Sequence, residues 1–210
     1  DLHLSIRRQR QMCIRDRIED EELPAAEEYI MSRNGVDFIP SSMVLSVVDA
    51  KLRLEMGAEK MLSGILESLR DRYDAIIIDT APTLGALNIN ALAAADEVII
   101  TVNPQLLAMM GLQDFLKTVK KIKSRINDKL DVAGILLTMC DARTNLCKVI
   151  TEQVTDTFEG QIRIFDSKIP NTVKVGESVY YSEPLLEYAP ECKACEAYEN
   201  FAKELIAYEG

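Results

Sequence analysis

The amino-acid sequence predicts an α/β fold, in which a mostly parallel sheet is flanked by helices. Three continuous apolar runs, at residues 75–79, 98–102 and 132–138, carry this prediction. Continuous rather than alternating apolarity is typical of strands that are buried on both faces. Helical patterns alternate with these runs, and strands that alternate with helices form parallel sheets with right-handed crossovers. The length of 210 residues suits one domain with a sizeable core.

The remaining elements are predicted from hydrophobic period and from turn residues. Upstream of the first buried run, the pattern predicts helices over 24–33, 43–54 and 57–70 and a short strand over 36–40. Ser41 or Ser42 can cap the helix over 43–54. Downstream, it predicts helices over 87–94, 105–126, 144–158, 172–179 and 191–207 and a further strand over 161–165.

Composition excludes several classes of chemistry. The net charge of -10 gives no global attraction to nucleic acid, so any DNA contact must come from a local basic patch. His3 is the sole histidine, which excludes nucleophile systems and metal sites that depend on histidine. The five cysteines are an odd number and are scattered, which favours reduced thiols in a cytoplasmic protein. No apolar run approaches the roughly 20 residues of a membrane span.

The first seventeen residues differ from the rest of the chain. They read DLHLSIRRQRQMCIRDR, with five Arg and two Asp, and show no clean helical or strand period. We interpret residues 1–17 as foreign sequence joined to a coding sequence that was cut near Ile18, so that the domain occupies residues 18–210. The alternative is a genuine basic arm that binds nucleic acid.

Asp79 is the first candidate functional residue. Four apolar residues followed by Asp have the form of a Walker B element, in which a buried strand delivers a carboxylate to its exposed tip. There the carboxylate can hold Mg²⁺, directly or through water, beside the phosphates of a nucleotide. On pattern alone, a helix cap or a loop anchor explains such an Asp equally well.

The longer string around Asp79 resembles a known family. Residues 73–85 read YDAIIIDTAPTLG, and further matching stretches are DFIPSS at 37–42, NALAAADEV at 90–98, GILLTMCDART at 134–144, and ACEAY and FAKEL near the end. Together they resemble the ParA/Soj partition ATPases, which are P-loop NTPases of the MinD/ParA type, in order over roughly residues 30–208. The resemblance implies a P-loop NTPase-like fold and an ATP-dependent dimeric switch in chromosome or plasmid partition.

The resemblance also implies roles for individual residues. Asp79 would be the Walker B aspartate on the magnesium side, and Thr80, Pro82 and Gly85 would belong to switch II, which senses the γ-phosphate. The loops around the adenine base would include Thr138, Met139, Pro170 and Asn171. Lys174 and Lys193 fall on positions that are often Arg in the family and would contact DNA, although a Lys lacks the bidentate fork of Arg.

Partners and cofactors follow from the same resemblance. It implies ATP and Mg²⁺ as cofactors, a homodimer, a ParB-like partner protein, non-specific DNA and a nucleoid-associated location in the cytoplasm, without a membrane. One part of the family pattern is missing, because the deviant Walker loop KGGxGK[ST] and the strand after it do not occur. We therefore expect the first P-loop strand–helix unit to be lacking, with a gap or exposed edge beside the Asp79 strand. The chain alone would then be inactive and poorly stable.

Alternatives remain open at this point. A membrane-associated division-site ATPase of the MinD type shares the fold, but its basic anchor helix contrasts with the acidic end of this chain. A non-catalytic interaction module is a third possibility. Cys192 and Cys195 form a C-x-x-C, which could hold zinc only if Cys140 and Cys147 lay close by, and otherwise consists of ordinary thiols. The lysine run at 117–123 is more typical of a solvated helix face than of a DNA contact.

Overall fold

The computed structural model describes residues 29–40, 45–81, 84–141 and 143–209. The segment 1–17, the beginning of the helix predicted over 24–33, and the capping serines Ser41 and Ser42 lie outside these residues. The chain divides into two compact units. One takes in the chain up to Asp96 together with Lys121–Leu130, and the other takes in Glu97–Lys120 and Asp131–Gly210.

The first described strands of the first unit form a hairpin. Strands β1 (Met31–Arg33) and β2 (Val36–Phe38) pair antiparallel. Asn34 and Gly35 between them both have positive φ, at 51° and 75°, as the turns that suit two-residue hairpins require. The helix predicted to reach residue 33 is therefore wrong over 31–33, because the Asn-Gly turn pairs these residues with the strand that follows. The strand predicted over 36–40 is confirmed at its first three residues.

Three helices of the first unit agree with the sequence prediction. They are α1 (Leu45–Leu52), α2 (Met61–Glu67) and α3 (Ala86–Ala94), with 3₁₀ turns at Ala58–Lys60 and Arg70–Arg72. Two apolar clusters hold them. One comprises Tyr29, Ile65, Leu66, Leu69 and Ala94, and the other comprises Val48, Leu52 and Ala58.

The strand predicted over 75–79 is wrong. Residues 75–81 adopt no regular secondary structure, and Ile77 is 93% exposed. Ile78 alone in this run packs against an apolar cluster, the one that contains Ile65. Burial on both faces requires hydrogen-bonded neighbours on each side, and no described strand pairs with this run.

The second unit contains the parallel sheet. Its strands are β3 (Glu97–Val102), β4 (Asp131–Cys140) and β5 (Ile164–Pro170), and their order is β3-β4-β5 with every pair parallel. The central strand is buried on both faces, because Ile135 and Leu137 join one cluster whereas Ala133 and Leu136 join another. The prediction of buried strands over 98–102 and 132–138 is confirmed.

Helices follow each of these strands along the chain. They are α4 (Leu106–Arg125), α5 (Asn145–Phe158), α6 (Val173–Tyr181), the short α7 (Leu185–Tyr188) and α8 (Lys193–Glu209). The strand predicted over 161–165 begins three residues later. The amides of Gln161 and Ile162 still bond to the carbonyl of Phe158, so the turn that ends α5 occupies those positions. The sequence analysis did not predict α7.

Candidate functional site

Asp79 lies in the exposed, irregular stretch that precedes α3. Its side chain and that of Thr80 face solvent. Asp79 forms no hydrogen bond or ion pair with any residue that the structure describes. The stretch is anchored at its end, where the Asn88 side-chain amide donates to the carbonyl of Ala81 at 2.8 Å. Pro82, the second predicted switch residue, lies outside the described residues.

Gly85 is buried at the start of α3, and Asp49 of α1 lies against it. A Cβ built on Gly85 would lie 2.5 Å from Oδ1 of Asp49, so no other side chain fits here without movement. The same Oδ1 accepts the amide hydrogen of Leu87 at 3.0 Å, and Arg53 donates to the other oxygen at 2.9 Å. Glycine at position 85 therefore admits a capping carboxylate to the first turn of the helix.

Asp49 is the capping residue that the sequence analysis missed. The bond from the Leu87 amide, followed by the ion pair with Arg53, holds the pKa of the Asp49 carboxyl below its ordinary value of 3.8. A carboxylate at a helix N-terminus is favoured both by the orphan N–H groups and by the helix dipole. No local sequence pattern predicts this cap, because 38 residues separate Asp49 from Leu87 in the sequence.

A second group of predicted residues meets at the carboxyl ends of β4 and β5. Cys140 pairs with Pro170 in the register of the two strands, and the Asn171 amide donates to the Cys140 carbonyl at 3.0 Å. Met139 is 62% exposed with φ of 54°, and its sulfur accepts from the side-chain amide of Asn103, just after β3. The structure thus brings Met139, Pro170 and Asn171 to one edge of the sheet, which is where open parallel sheets bind ligands.

Thr138 and Asp141 lie on either side of this position. Thr138 is half-buried within β4. Asp141 follows the strand, and Arg143 donates to both of its oxygens at 2.9 Å. The Arg143 hydrogen bonds lower the pKa of Asp141 to about 2. This bidentate pair at the carboxyl end of β4 was not predicted from the sequence, because only the turn between β4 and α5 brings the two side chains together.

The two predicted DNA-contact lysines are both exposed in the second unit. Lys174, in the first turn of α6, forms an ion pair with Glu177 at 2.8 Å, and its ammonium lies 5.6 Å from the ring centre of Tyr188. Lys193 begins α8. The charge of Lys174 acts on Cys192, the residue before Lys193, so both lysines belong to one surface region.

The described cysteines form two pairs of free thiols. Cys140 and Cys147 are buried in one apolar cluster, whereas Cys192 and Cys195 lie at the start of α8 with their sulfur atoms 3.5 Å apart. In the part of the chain that the structure describes, no group of three or more His, Cys, Asp or Glu side chains is arranged to hold a metal ion.

The side chains at the predicted site positions match the ligand preferences of magnesium and of a nucleotide base. Mg²⁺ usually takes one or two protein carboxylates and keeps waters and substrate phosphates as its other ligands, so the lone exposed Asp79 fits it. The exposed Met139 and the half-buried Pro170 offer apolar surface, and the Asn171 amide side chain beside them offers a polar contact, as base-binding sites do. The described residues are therefore compatible with both groups.

The comparison with known proteins decides the family. The sequence profile of the AAA domain matches residues 4–132. The chain is 39% identical over 172 residues to the chromosome-partitioning ATPase Soj of Treponema pallidum (strain Nichols), an alignment that covers 82% of this chain and 67% of that protein. This chain belongs to the ParA/Soj family of P-loop ATPases. The matched profile begins at residue 4, and the proposed boundary between foreign and native sequence at residues 17 and 18 stays a prediction.

Solved structures confirm the predicted fold class of this ParA/Soj-family chain. Cobyrinic acid a,c-diamide synthase from Mycobacterium smegmatis, with bound ADP and magnesium, is similar with a TM-score of 0.72 and 27% identity over 87% of this chain and 67% of that chain. The cell division ATPase MinD of Pyrococcus furiosus has a TM-score of 0.72 at 20% identity, over 94% of this chain and 76% of that one. At that identity the likeness to MinD shows the fold alone. Among the described residues, no helix is both long enough and apolar enough to cross a bilayer.

Proposed function

We propose that this chain is part of the nucleotide switch of a DNA partition system. In this proposal the full-length gene product is a cytoplasmic, nucleoid-associated ATPase that uses ATP and Mg²⁺ and forms a homodimer. The dimer binds DNA non-specifically and releases it when a ParB-like partner stimulates hydrolysis. Membership of the ParA/Soj family supports the proposal, and the observation that carries it is the environment of Asp79.

Asp79 has no structural task among the described residues. Its pattern alone left a helix cap or a loop anchor as equal explanations. The carboxylate that caps the following helix belongs to Asp49, however, and the loop is anchored by Asn88. An exposed carboxylate inside the family motif, unused by the described fold, is what a magnesium ligand requires before the nucleotide arrives.

The test is ATP turnover by the full-length gene product carrying Asp79→Ala. We expect Mg²⁺-dependent turnover to fall by about 10²–10³-fold, the range seen when one preorganised electrostatic group is removed from a site. Asp74→Ala is the matched control, because Asp74 is an exposed carboxylate in the same stretch. It should leave turnover unchanged. Equal turnover by the Asp79 variant and the parent would remove Asp79 from the mechanism.

We also propose that Thr138, Met139, Pro170 and Asn171 surround the adenine base. The common edge at the ends of β4 and β5 supports this assignment, since three of the four are grouped there. Asn171→Ala should then weaken the binding of a fluorescent ATP analogue without changing its metal dependence. Asn145→Ala, at an exposed position in α5, serves as the control.

DNA contact by Lys174 and Lys193 is the remaining part of the proposal. Each phosphate contact contributes about -0.9 to the slope of log affinity against log salt concentration. The double variant Lys174→Ala/Lys193→Ala should therefore bind DNA more weakly, with a slope reduced by about 2. Lys203→Ala, at an exposed position of the same helix α8, should leave the slope unchanged. An unchanged slope in the double variant would exclude these lysines as DNA contacts.

Sedimentation with DNA and with lipid vesicles distinguishes the proposal from the two alternatives. A partition switch sediments with DNA in the presence of ATP, whereas a division-site ATPase of the MinD type sediments with vesicles of anionic lipid. A non-catalytic module shows no nucleotide-dependent change with either. The exposed acidic side chains Glu196 and Glu199 of α8 would repel anionic lipid, which favours the first outcome.

A further inference from the structure

The start of helix α8 holds two thiols in an arrangement that ordinary core cysteines do not require. Cys192 immediately precedes the helix, and Cys195 lies in its first turn. Their sulfur atoms are 3.5 Å apart, and the Cys195 amide donates to the Cys192 sulfur at 3.4 Å. Cys192 is partly exposed, whereas Cys195 is completely buried. Reagents in solvent can thus reach the Cys192 thiol, and the Cys195 thiol lies buried next to it.

The surroundings of the two sulfur atoms differ in charge as well as in exposure. Burial alone would raise the pKa of Cys192, but hydrogen bonds from the Cys195 and Ala194 amides and from the Cys195 thiol, with the charge of Lys174, lower its pKa overall. Burial, followed by the contact with Cys192, raises the pKa of Cys195. Its sulfur also lies 3.1 Å from the carbonyl oxygen of Ala189. A helix N-terminus and a C-x-x-C spacing are both settings in which a cysteine becomes nucleophilic.

We propose that Cys192 and Cys195 form a reversible intramolecular disulfide by exchange with a low-molecular-weight disulfide such as oxidised glutathione. The Cys192 thiolate attacks one sulfur of the small disulfide, forms a mixed disulfide and expels one small thiolate. The Cys195 sulfur then attacks Sγ of Cys192 and expels the second. The protons that Cys192 and Cys195 lose pass to the two expelled small thiolates. Two protein thiols and one small disulfide thus give one protein disulfide and two small thiols.

The geometry permits this bond with little movement. Side chains three residues apart in a helical turn have Cβ atoms about 5–6 Å apart, and a disulfide needs about 3.5–4.5 Å. Cys192 stands outside the helix, so its backbone can supply the closing of roughly 1–2 Å that this difference demands. Closure would alter the first turn of α8 at Lys193, which lies between the two cysteines.

The other pair of thiols serves as an internal control. Cys140 and Cys147 share one apolar cluster but are both buried, and burial raises the pKa of Cys140 to about 11. A value two units above the ordinary 9.0 leaves about a hundredfold less thiolate at neutral pH. These two thiols should therefore remain reduced under conditions in which Cys192 reacts.

The test uses trypsin, because Lys193 separates the two cysteines of the motif. The chain is equilibrated in glutathione buffers of graded ratio and then unfolded in urea with maleimide present, so that its remaining thiols, including the buried ones, are blocked. It is then digested without reductant. We expect peptides 175–193 and 194–203 to stay joined through a disulfide as the buffer becomes oxidising. The peptides that carry Cys140 and Cys147, which Arg143 separates, should carry maleimide. Separate, blocked peptides 175–193 and 194–203 at every ratio would overturn the proposal.

Two single variants test the order of attack. In Cys195→Ser the exchange should stop at a mixed disulfide, with glutathione on Cys192, at a rate at least about tenfold above that of glutathione addition to Cys140. In Cys192→Ser, the buried Cys195 should stay reduced. Glutathione addition to Cys195 as fast as to Cys192 would contradict the assignment of Cys192 as the attacking thiol. The peptide map of the parent chain does not depend on the folding of either variant.

Discussion

The contact between Gly85 and Asp49 makes a sharp prediction about how α3 is held. An added Cβ at position 85 would lie 2.5 Å from Oδ1, 3.1 Å from Cγ and 3.2 Å from Oδ2 of Asp49, so the whole carboxylate must move in Gly85→Ala. The backbone itself permits alanine, because φ is -88°. The cost is therefore steric. The clash should break the cap of α3, because the Asp49 carboxylate cannot move without losing its hydrogen bond to the Leu87 amide.

Two separate effects set the expected loss of stability in each variant. Overpacking of a tight site costs about 1–3 kcal/mol, and loss of a capping carboxylate costs about 1 kcal/mol. Gly85→Ala should thus lower the free energy of unfolding by about 1–3 kcal/mol, and Asp49→Ala should lower it by about 1 kcal/mol. The double variant has no clash, so its free energy of unfolding should fall by about as much as that of Asp49→Ala alone. The coupling between the two sites is then about the size of the clash.

The assay is urea unfolding of the four chains, with hydrogen exchange of the α3 amides as a local measure. Exchange is needed because two compact units need not unfold as one. Faster exchange in α3 should accompany each single variant, and the second substitution should add little. Losses of the two single variants that simply add in the double variant would show that Gly85 and Asp49 do not compete for the same space.

Two further predictions concern the same unit. Asp49 contributes stability above the ordinary aspartate pKa of 3.8, and this contribution is lost as the pH falls through the lowered pKa of Asp49 in the folded chain. In urea unfolding, the stability difference between Asp49→Ala and the parent should therefore shrink in acid and vanish below the folded pKa. The side-chain amide of Asn127 donates to the carbonyls of Leu92 and Ala95 at 3.1 and 2.7 Å. Asn127→Ala should therefore cost about 1–3 kcal/mol in urea unfolding, whereas the exposed Asp128→Ala should stay within about 0.5 kcal/mol of the parent, and equal losses would contradict this.

The apolar pattern predicted the strands of the parallel sheet correctly where a neighbouring strand pairs with the run. The runs at 98–102 and 132–138 became β3 and β4, because β4 has a parallel neighbour on each side and helices cover both of its faces. The run at 75–79 has the same composition but became an exposed irregular stretch. A continuous apolar run therefore indicates a preference for burial on two faces, and only the neighbouring strands decide whether that preference is met.

The candidate site shows a similar division between local and distant signals. Asp79 and Met139 were predicted as site residues from contiguous motifs, which a single sequence displays directly. Asp49 and Arg143 were missed, since each acquires its role from a partner that a turn or a packed helix brings close. The Asn34-Gly35 hairpin was missed for another reason. A helical interpretation of the preceding residues was extended through a turn signal that should have ended it.

The exposure of Ile77 connects this unmet preference to the proposed function. Burying an isoleucine side chain contributes about 1.5–3 kcal/mol, and Ile77 at 93% exposure contributes almost none of this in the described structure. Local preference and observed environment usually agree, and their conflicts concentrate at functional sites. Ile77→Ala should therefore leave the unfolding of this chain within about 0.5 kcal/mol of the parent. If a strand pairs with this run when Asp79 holds magnesium, the same variant should lower ATP turnover by the full-length gene product. A loss of stability in the chain alone would instead show that Ile77 already packs, and unchanged turnover would show that its burial plays no part in placing Asp79.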